Sequence, residues 1–251
     1  MTVVEELDLT RAVKPVDCWW TVAAVDPVAM RVLPPLVRRR WVTPNGITVF
    51  AFGVGAVSVA LFATGHLLMG AVVYELRFFL DCLDGKLARV RRSSSPFGAA
   101  FDRLADAVTV PAAYAAIGWT LAERGVWSHT WVLAVAAMAL LVTVCELSLE
   151  AIRVGIGGPA AVSTNGTSTG ILGWMRRHRL TLRPWTVEAE TLGLFLGPLL
   201  LRGQLLARLQ LVVAAIYVVF VAVDVCFMAR AATAQQHHAD PDTSDDLRGR
   251  P

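Results

Sequence analysis

Charge is scarce in this sequence. Asp, Glu, Lys and Arg make up only 17% of its 251 residues, where soluble domains carry about 25%. The net charge is +3, too small for a binder of phosphate backbones, so nucleic acid is not an expected partner. Cysteine is sparse as well. Cys18, Cys82, Cys145 and Cys226 are widely separated, with no CxxC pair and no neighbouring histidine. That spacing excludes a zinc site or a disulfide scaffold and leaves four small apolar residues of a reducing compartment. Met1 to Leu9 is acidic and polar, and no secretory signal is expected there.

Apolar residues are what the chain has in excess. They form 55% of it, the mean hydropathy is +0.55, and they come in long blocks. A spanning helix needs about 20 such residues. Six segments qualify: Gly46–Thr64, Leu67–Asp84, Pro96–Leu121, Ser128–Ile152, a weaker Trp185–Leu201 containing Glu188 and Glu190, and Leu205–Met228. The expected fold is an all-α integral membrane bundle of six transmembrane helices. An N-terminal amphipathic helix over Asp26 to Arg40, flanked by Trp19, Trp20 and Trp41, is expected to lie along the interface. Residues 1–42 then form the N-terminal segment, 43–230 the membrane domain and 231–251 a polar, disordered cytoplasmic tail.

Basic residues orient this bundle. Arg31, Arg38, Arg39 and Arg40 precede the first span. Lys86, Arg89, Arg91 and Arg92 follow the second, and Arg153, Arg176, Arg177, Arg179 and Arg183 follow the fourth. The opposite connections carry few cations. Both termini and the basic loops are therefore expected in the cytoplasm. Asn165-Gly166-Thr167 fits a glycosylation pattern but falls in a predicted cytoplasmic loop.

The chemistry-bearing segment spans the second and third helices. Asp81 and Asp84 are i, i+3, and Ala88 lies i+4 beyond Asp84, so all three share one helix face. Asp102 and Asp106 are i, i+4 on the next helix. Between them, Ser95 is a predicted N-cap and Pro96 the first helical residue. Two helices joined this tightly bring four carboxylates together near the membrane surface. A charge at a helix centre costs about 2.5–3.5 kcal/mol to insert, so the cluster requires neutralisation. Hard divalent cations with oxygen ligands, Mg²⁺ or Mn²⁺, suit it, and four aspartates can hold two of them. Paired ions serve phosphoryl chemistry. Gly85, Ala88 and Gly98 leave room beside the cluster, and Arg89 can meet a phosphate with its fork.

Asp81, Asp84, Gly85, Ala88, Arg89, Gly98, Asp102 and Asp106 reproduce the spacing D-x2-D-G-x2-A-R-x8-G-x3-D-x3-D. At roughly one in fifteen per position, eight chance matches are on the order of 10⁻⁹ per start. The segment resembles the CDP-alcohol phosphotransferase family, strongly over Asn45 to Ala122 and elsewhere in topology. The resemblance implies a multi-pass enzyme of the bacterial plasma membrane with its site on the cytoplasmic side. Such enzymes move a substituted phosphate from a CDP-linked alcohol, most simply CDP-diacylglycerol, to a second alcohol and release CMP. It implies that Asp81, Asp84, Asp102 and Asp106 lie at two divalent metals and that Asp106 is the general base. It also implies that Asn45, Asp81, Gly85, Ala88, Arg89 and Gly98 form the nucleotide site. The partners implied are the CDP-alcohol, a small polar acceptor alcohol and membrane lipids, and the family often forms homodimers.

The acceptor is less defined. Phosphatidylinositol phosphate synthases of this family carry an arginine pair in a stretch resembling S-Y-x-R-A-R-A-E. Here it reads Ser148-Leu-Glu150-Ala151-Ile-Arg153-Val-Gly155. Only Arg153 matches, which favours an acceptor other than inositol phosphate and makes Arg153 the candidate contact to it. Arg77 lies i−4 from Asp81 and shares its face; it either tunes the metal site or, the favoured reading, pairs structurally with Glu75, Glu146 or Glu150, and Glu188, Glu190 and Asp224 are read as helix-pairing acids. A different donor or a specialised polyol acceptor is the alternative within the fold. A cation transporter is the rival class, but it predicts acids spread through the bundle depth rather than gathered at one edge.

Overall fold

The computed structural model describes residues 8–155, 171–180 and 186–239. A 3₁₀ turn, Leu9–Ala12, and a π-helical turn, Thr21–Val25, lead into α1, Asp26–Arg38. There follow α2 (Pro44–Ala63), α3 (Leu67–Arg91), α4 (Pro96–Glu123), α5 (His129–Gly155) and α6 (Ile171–Arg177). The chain closes with α7 (Thr186–Glu190), a π-helical stretch (Thr191–Leu196), α8 (Gly197–Leu200) and α9 (Gly203–Ala239). Among the described residues there is no strand, only an isolated bridge between Asp17 and Leu180.

Among the described residues, four stretches are long and apolar enough to cross a membrane: Pro44–Ala63, Pro96–Glu123, His129–Ser148 and Gly203–Val223. The other two expected spans differ for identifiable reasons. The second does not stop at Asp84. Its helix continues to Arg91 and is ended by Arg92 in the left-handed conformation, φ 51°. Glu75, Arg77, Asp81, Asp84, Lys86, Arg89 and Arg91 all ride on it, so its hydropathy is diluted. The fifth, Thr186 to Leu200, is interrupted by its π-helical turn. The tail differs as well: α9 runs to Ala239, into the segment expected to be disordered from residue 231. Ala231-Ala-Thr-Ala-Gln-Gln is a run of mostly good helix formers.

The hairpin of α2 and α3 is tied by small and hydroxyl residues, as membrane bundles require. Ser58 Oγ donates to the Gly70 carbonyl at 2.8 Å. A Cβ on Gly70 would stand 2.5 Å from the Phe62 ring. α2 also packs on α4, α4 on α5, and α5 on α9. One apolar cluster fills the middle of this stack, with Phe62, Tyr74, Tyr114, Ile117, Leu194 and Tyr217 buried in it. A second cluster, with Ala12, Val25, Leu33, Ile47, Phe78 and Leu87, binds the N-terminal segment and α1 to α3. On α1 the buried residues are Asp26, Ala29 and Leu33, at i, i+3 and i+7, while Val28, Arg31 and Val32 are exposed.

Candidate active site

The site forms where α2, α3 and α4 meet. α2 and α4 open on the same local pattern, Thr43-Pro44-Asn45-Gly46 and Ser95-Pro96-Phe97-Gly98. Thr43 Oγ1 accepts the Gly46 N–H at 3.1 Å and Ser95 Oγ accepts the Gly98 N–H at 3.0 Å. Each proline takes the first helical position, where its missing N–H costs nothing. The predicted cap at Ser95 is thus in place, and two helix N-termini point into one cavity. Its volume is about 160 Å³.

Five of the six expected nucleotide-site residues, Asn45, Gly85, Ala88, Arg89 and Gly98, line this cavity together with Asp84 and Asp102. The glycines are there for space. A Cβ on Gly98 would lie 2.7 Å from Asn45 Oδ1, and one on Gly85 would lie 3.3 Å from Arg89 Nη1. Pro44, Thr48, Ala99 and the loop Ser93-Ser94-Ser95 complete the wall.

At the edge of the cavity Asp81, Asp84 and Asp102 gather. Each offers a carboxylate oxygen, and the three oxygens lie within 4.8 Å of one another. Asp84 is buried and the other two are half-buried. Thr48 Oγ1 lies 2.5 Å from Asp84 Oδ2 and 3.1 Å from the Pro44 carbonyl. Asp102 Oδ1 is buried with no hydrogen-bond donor among the described residues. Such an orphaned oxygen beside two other carboxylates is a poor arrangement without a cation and a good one with it. The donor set therefore fits a hard divalent ion.

Asp106 does not join this trio. It is ion-paired with Arg77 of α3, whose side chain is 2% exposed. This corrects the expected partner of Arg77. Glu75 instead accepts the Trp20 indole N–H at 2.9 Å. Glu188 accepts the Trp19 backbone N–H at 2.7 Å, and Glu190 lies 3.5 Å from the Tyr74 hydroxyl. Arg153 falls in the last turn of α5, but its side chain, like that of Asp224, lies outside the described residues, as does Asn165.

Sequence reasoning missed three features. Thr48 was findable, because it lies i+3 from Asn45 on the same face of α2. The second is the grip of the N-terminal segment. Arg89 donates from Nε and Nη2 to the Ala12 carbonyl at 3.1 and 2.8 Å. Burial lowers its pKa, which for a guanidinium leaves the charge in place. The third is an ionic cluster behind the cavity wall. Lys86 Nζ meets Asp26 Oδ1 at 2.9 Å, and Arg179 Nη1 meets Asp26 Oδ2 at 3.1 Å. Both join elements too distant in sequence for spacing to reveal.

Comparison with known proteins places this geometry. The sequence profile of CDP-alcohol phosphatidyltransferases matches residues 41–190. The chain belongs to the CDP-alcohol phosphatidyltransferase family. Among curated relatives, a phosphatidylinositol phosphate synthase of Corynebacterium glutamicum is 37% identical over 98 residues, 39% of this chain and 42% of the relative. One of Mycobacteroides abscessus is 33% identical over 127 residues, 50% of this chain and 56% of the relative. The matched region thus spans about half the length of these relatives. Two crystal structures of Mycobacterium tuberculosis phosphatidylinositol phosphate synthase share the fold, each with a TM-score of 0.55. The one with CDP-DAG bound is 19% identical and the match covers 79% of this chain and 92% of that one. The one with manganese and citrate is 20% identical, with 79% and 86% covered. Three of the four signature aspartates, Asp81, Asp84 and Asp102, are thus gathered at the α2–α3–α4 junction of this family member.

Proposed function

We propose that this protein is an integral-membrane, divalent-metal-dependent transferase. It moves the phosphatidyl group of a CDP-alcohol, most simply CDP-diacylglycerol, to a small polar alcohol and releases CMP. The observation that carries the reading is the trio Asp81, Asp84 and Asp102 at the edge of a cavity lined by the rest of the signature. Family membership and the relatives' names support it.

In this reading Asp81, Asp84 and Asp102 hold Mg²⁺ or Mn²⁺, with Asp106 also at the metal site. When bound, the ions supply neutralisation of the diphosphate and of the charge on departing CMP. Asn45, Gly85, Ala88, Arg89 and Gly98, with Asp81, accommodate the cytidine diphosphate. The converging N-termini of α2 and α4 favour its negative charge. Asp106 takes the proton from the acceptor hydroxyl. That oxygen then forms a bond to the phosphatidyl phosphorus as the bond from phosphorus to CMP breaks. Arg153 is assigned to the acceptor. The same reading has α3 and the Thr186–Leu200 segment completing six crossings, α1 lying along the interface, and the site and both termini on the cytoplasmic side of a bacterial plasma membrane. Residues 1–42, 43–230 and 231–251 remain its three divisions, and a homodimer is the expected assembly.

A second reading concerns the acceptor. The names of the curated relatives favour inositol phosphate, whereas Ala151 stands where the arginine-pair stretch S-Y-x-R-A-R-A-E has its first arginine. One assay tests both. CMP release is measured with CDP-diacylglycerol, Mn²⁺ and, in turn, inositol 1-phosphate, glycerol 3-phosphate, inositol, serine and no acceptor. Acceptor-dependent, EDTA-sensitive release is expected, and the active acceptor decides between the readings. Absence of release with every acceptor, together with absence of CDP-diacylglycerol binding, overturns this donor.

A further inference from the structure

Arg89 is expected to meet a phosphate with its fork, yet the structure turns that fork elsewhere. Both hydrogen bonds of its guanidinium run to one atom, the Ala12 carbonyl oxygen, from Nε at 3.1 Å and from Nη2 at 2.8 Å. Nη1 is the nitrogen left over. It lies above Gly85, where an added Cβ would stand 3.3 Å from it. Gly85 and Arg89 both line the cavity, so the nucleotide side of the guanidinium is this single nitrogen.

We propose that residues 8–20 form a positioning strap for the nucleotide site: the Ala12 carbonyl holds Nε and Nη2 of Arg89 and so aims Nη1 at the diphosphate of the CDP-alcohol. The proposal rests on the nucleotide role given to Arg89 above. The strap is built to hold that carbonyl still. Ala12 ends the 3₁₀ turn Leu9–Ala12, and the last carbonyls of such a turn have no partner within it. Asp8 caps the start of the turn, accepting the Thr10 N–H at 3.2 Å and Arg11 Nε at 2.8 Å. Ala12 itself is 0% exposed, in the cluster that holds Leu33, Phe78 and Leu87. Beyond the turn the strap is tied three more times. Arg179 Nε donates to the Lys14 carbonyl at 2.8 Å, the Asp17 N–H to the Arg179 carbonyl at 2.8 Å, and the Trp19 N–H to Glu188 Oε1 at 2.7 Å. With the carbonyl fixed, the long Arg89 side chain follows it and is ordered before the substrate arrives. Asp17, Asp26 and Asp84 surround the guanidinium as negative charges. Released from Ala12, Arg89 would turn to one of these carboxylates, because a charge-assisted pair is the stronger contact. Nη1 would then leave its place above Gly85.

The test uses full-length protein, CDP-diacylglycerol, Mn²⁺ and the acceptor that turns over fastest in the panel above. The variants are Val13→Pro, Asp8→Ala, Asp8→Asn, Arg89→Ala and the double variant V13P/R89A. Val13→Pro acts through the backbone: proline disfavours the helical conformation of the residue before it, so the Ala12 carbonyl turns. It should raise KM for CDP-diacylglycerol by about tenfold, the scale of a lost hydrogen bond to a charged group. Its kcat should stay within about twofold of native, because the carboxylates are untouched. Asp8→Ala loosens the turn and should raise KM by about threefold, while Asp8→Asn still caps it and should match the native protein. Arg89→Ala should raise KM at least as far as Val13→Pro, and adding Val13→Pro to it should change KM by less than about twofold, since the strap then has nothing to aim. By reciprocity, CDP-diacylglycerol with Mn²⁺ should slow tryptic cleavage after Arg11 by about tenfold in native protein and leave it unchanged in Arg89→Ala. Multiplying effects of Val13→Pro and Arg89→Ala overturn the proposal. So does a Val13→Pro protein with a lower melting temperature but native KM, which would make the strap a purely structural tie. Should Val13→Pro fail to fold, the Asp8 pair carries the test, and equal KM in Asp8→Ala and native protein then overturns it. Native protein that neither binds CDP-diacylglycerol nor releases CMP with any acceptor overturns the functional reading itself, and this proposal with it.

Discussion

Thr48 on α2 sets its hydroxyl 2.5 Å from Asp84 Oδ2 on α3, and this contact links the nucleotide end of the cavity to its carboxylate edge. Asp84 is 6% exposed, so few other donors can reach that oxygen. Thr48→Val keeps the shape and removes the donor. It should weaken Mn²⁺ binding by about tenfold, because a hydrogen bond to a charged group contributes about 1.5–3 kcal/mol and aims the oxygen as well. Thr48→Ser should bind as the native protein does. Calorimetric titration with Mn²⁺ checks both, and equal binding by Thr48→Val would show that Asp84 is aimed by something else.

Gly98→Ala tests the cavity wall. The new methyl carbon would sit 2.7 Å from Asn45 Oδ1 and 3.1 Å from Ser95 Oγ, so Asn45 must swing away. α4 itself gains, since alanine is the better helix former by about 1 kcal/mol. The expected result is therefore a raised KM for CDP-diacylglycerol, by about tenfold, in a protein whose melting temperature does not fall. An unchanged KM would remove Asn45 from the nucleotide site.

These two residues also mark where sequence reasoning succeeded and where it stopped. Gly98 and the aspartates sit at fixed spacings on two helices joined by a short loop, with Asn45 at the start of a third, and the 3.6-residue period turns spacing into a shared face. Ser95 and Pro96 gave the start of α4 for the same local reason. Arg77 shows the limit. Its place one turn before Asp81 was plain, but Glu75, Glu146 and Glu150 were equally eligible partners by charge, and only the packing of α3 and α4 on α2 brings Asp106 to it. The fifth expected span differs in another way. Its composition supports a helix, while the π-helical turn at Thr191–Leu196 comes from tertiary packing: a Cβ on Gly193 would lie 2.5 Å from Tyr114 Oη, and Gln210 Nε2 donates to the Gly193 carbonyl at 2.8 Å.

Asp102→Asn separates repulsion from ligation by sign. Three carboxylates whose oxygens lie within 4.8 Å repel one another when no cation is bound. Neutralising one should raise the melting temperature of the EDTA-treated protein. With Mn²⁺ the order should reverse. At a hundred times its dissociation constant, a ligand of the native state adds about 2.7 kcal/mol, and the variant should lose most of that. Thermal unfolding in detergent, with EDTA and with Mn²⁺, reads both signs. A variant stabilised by Mn²⁺ as strongly as the native protein would exclude Asp102 from the metal set.

Lys86 occupies a variable position of the signature, yet it is 1% exposed and meets Asp26 of α1 at 2.9 Å. Asp26 also receives Arg179 at 3.1 Å, and Arg179 donates in turn to the Lys14 carbonyl at 2.8 Å. The cluster thus fastens the N-terminal segment and the end of the basic loop to the helix that carries Asp81 and Asp84. Breaking a buried pair on one side leaves an uncompensated charge and costs about 3–5 kcal/mol. Lys86→Met should therefore lower stability by about that amount, moderated because Arg179 still faces Asp26. Lys86→Met with Asp26→Asn should recover part of the loss, since the orphaned charge is then gone. The same release should loosen the N-terminal segment and speed tryptic cleavage at Arg38 and Arg39, whose side chains are already exposed at the end of α1. Proteolysis under native conditions, followed by the size of the first fragment, checks the second effect. Unchanged melting and unchanged cleavage in Lys86→Met would mean that the apolar contacts of Ala12, Val25 and Leu33 hold this segment without the ions.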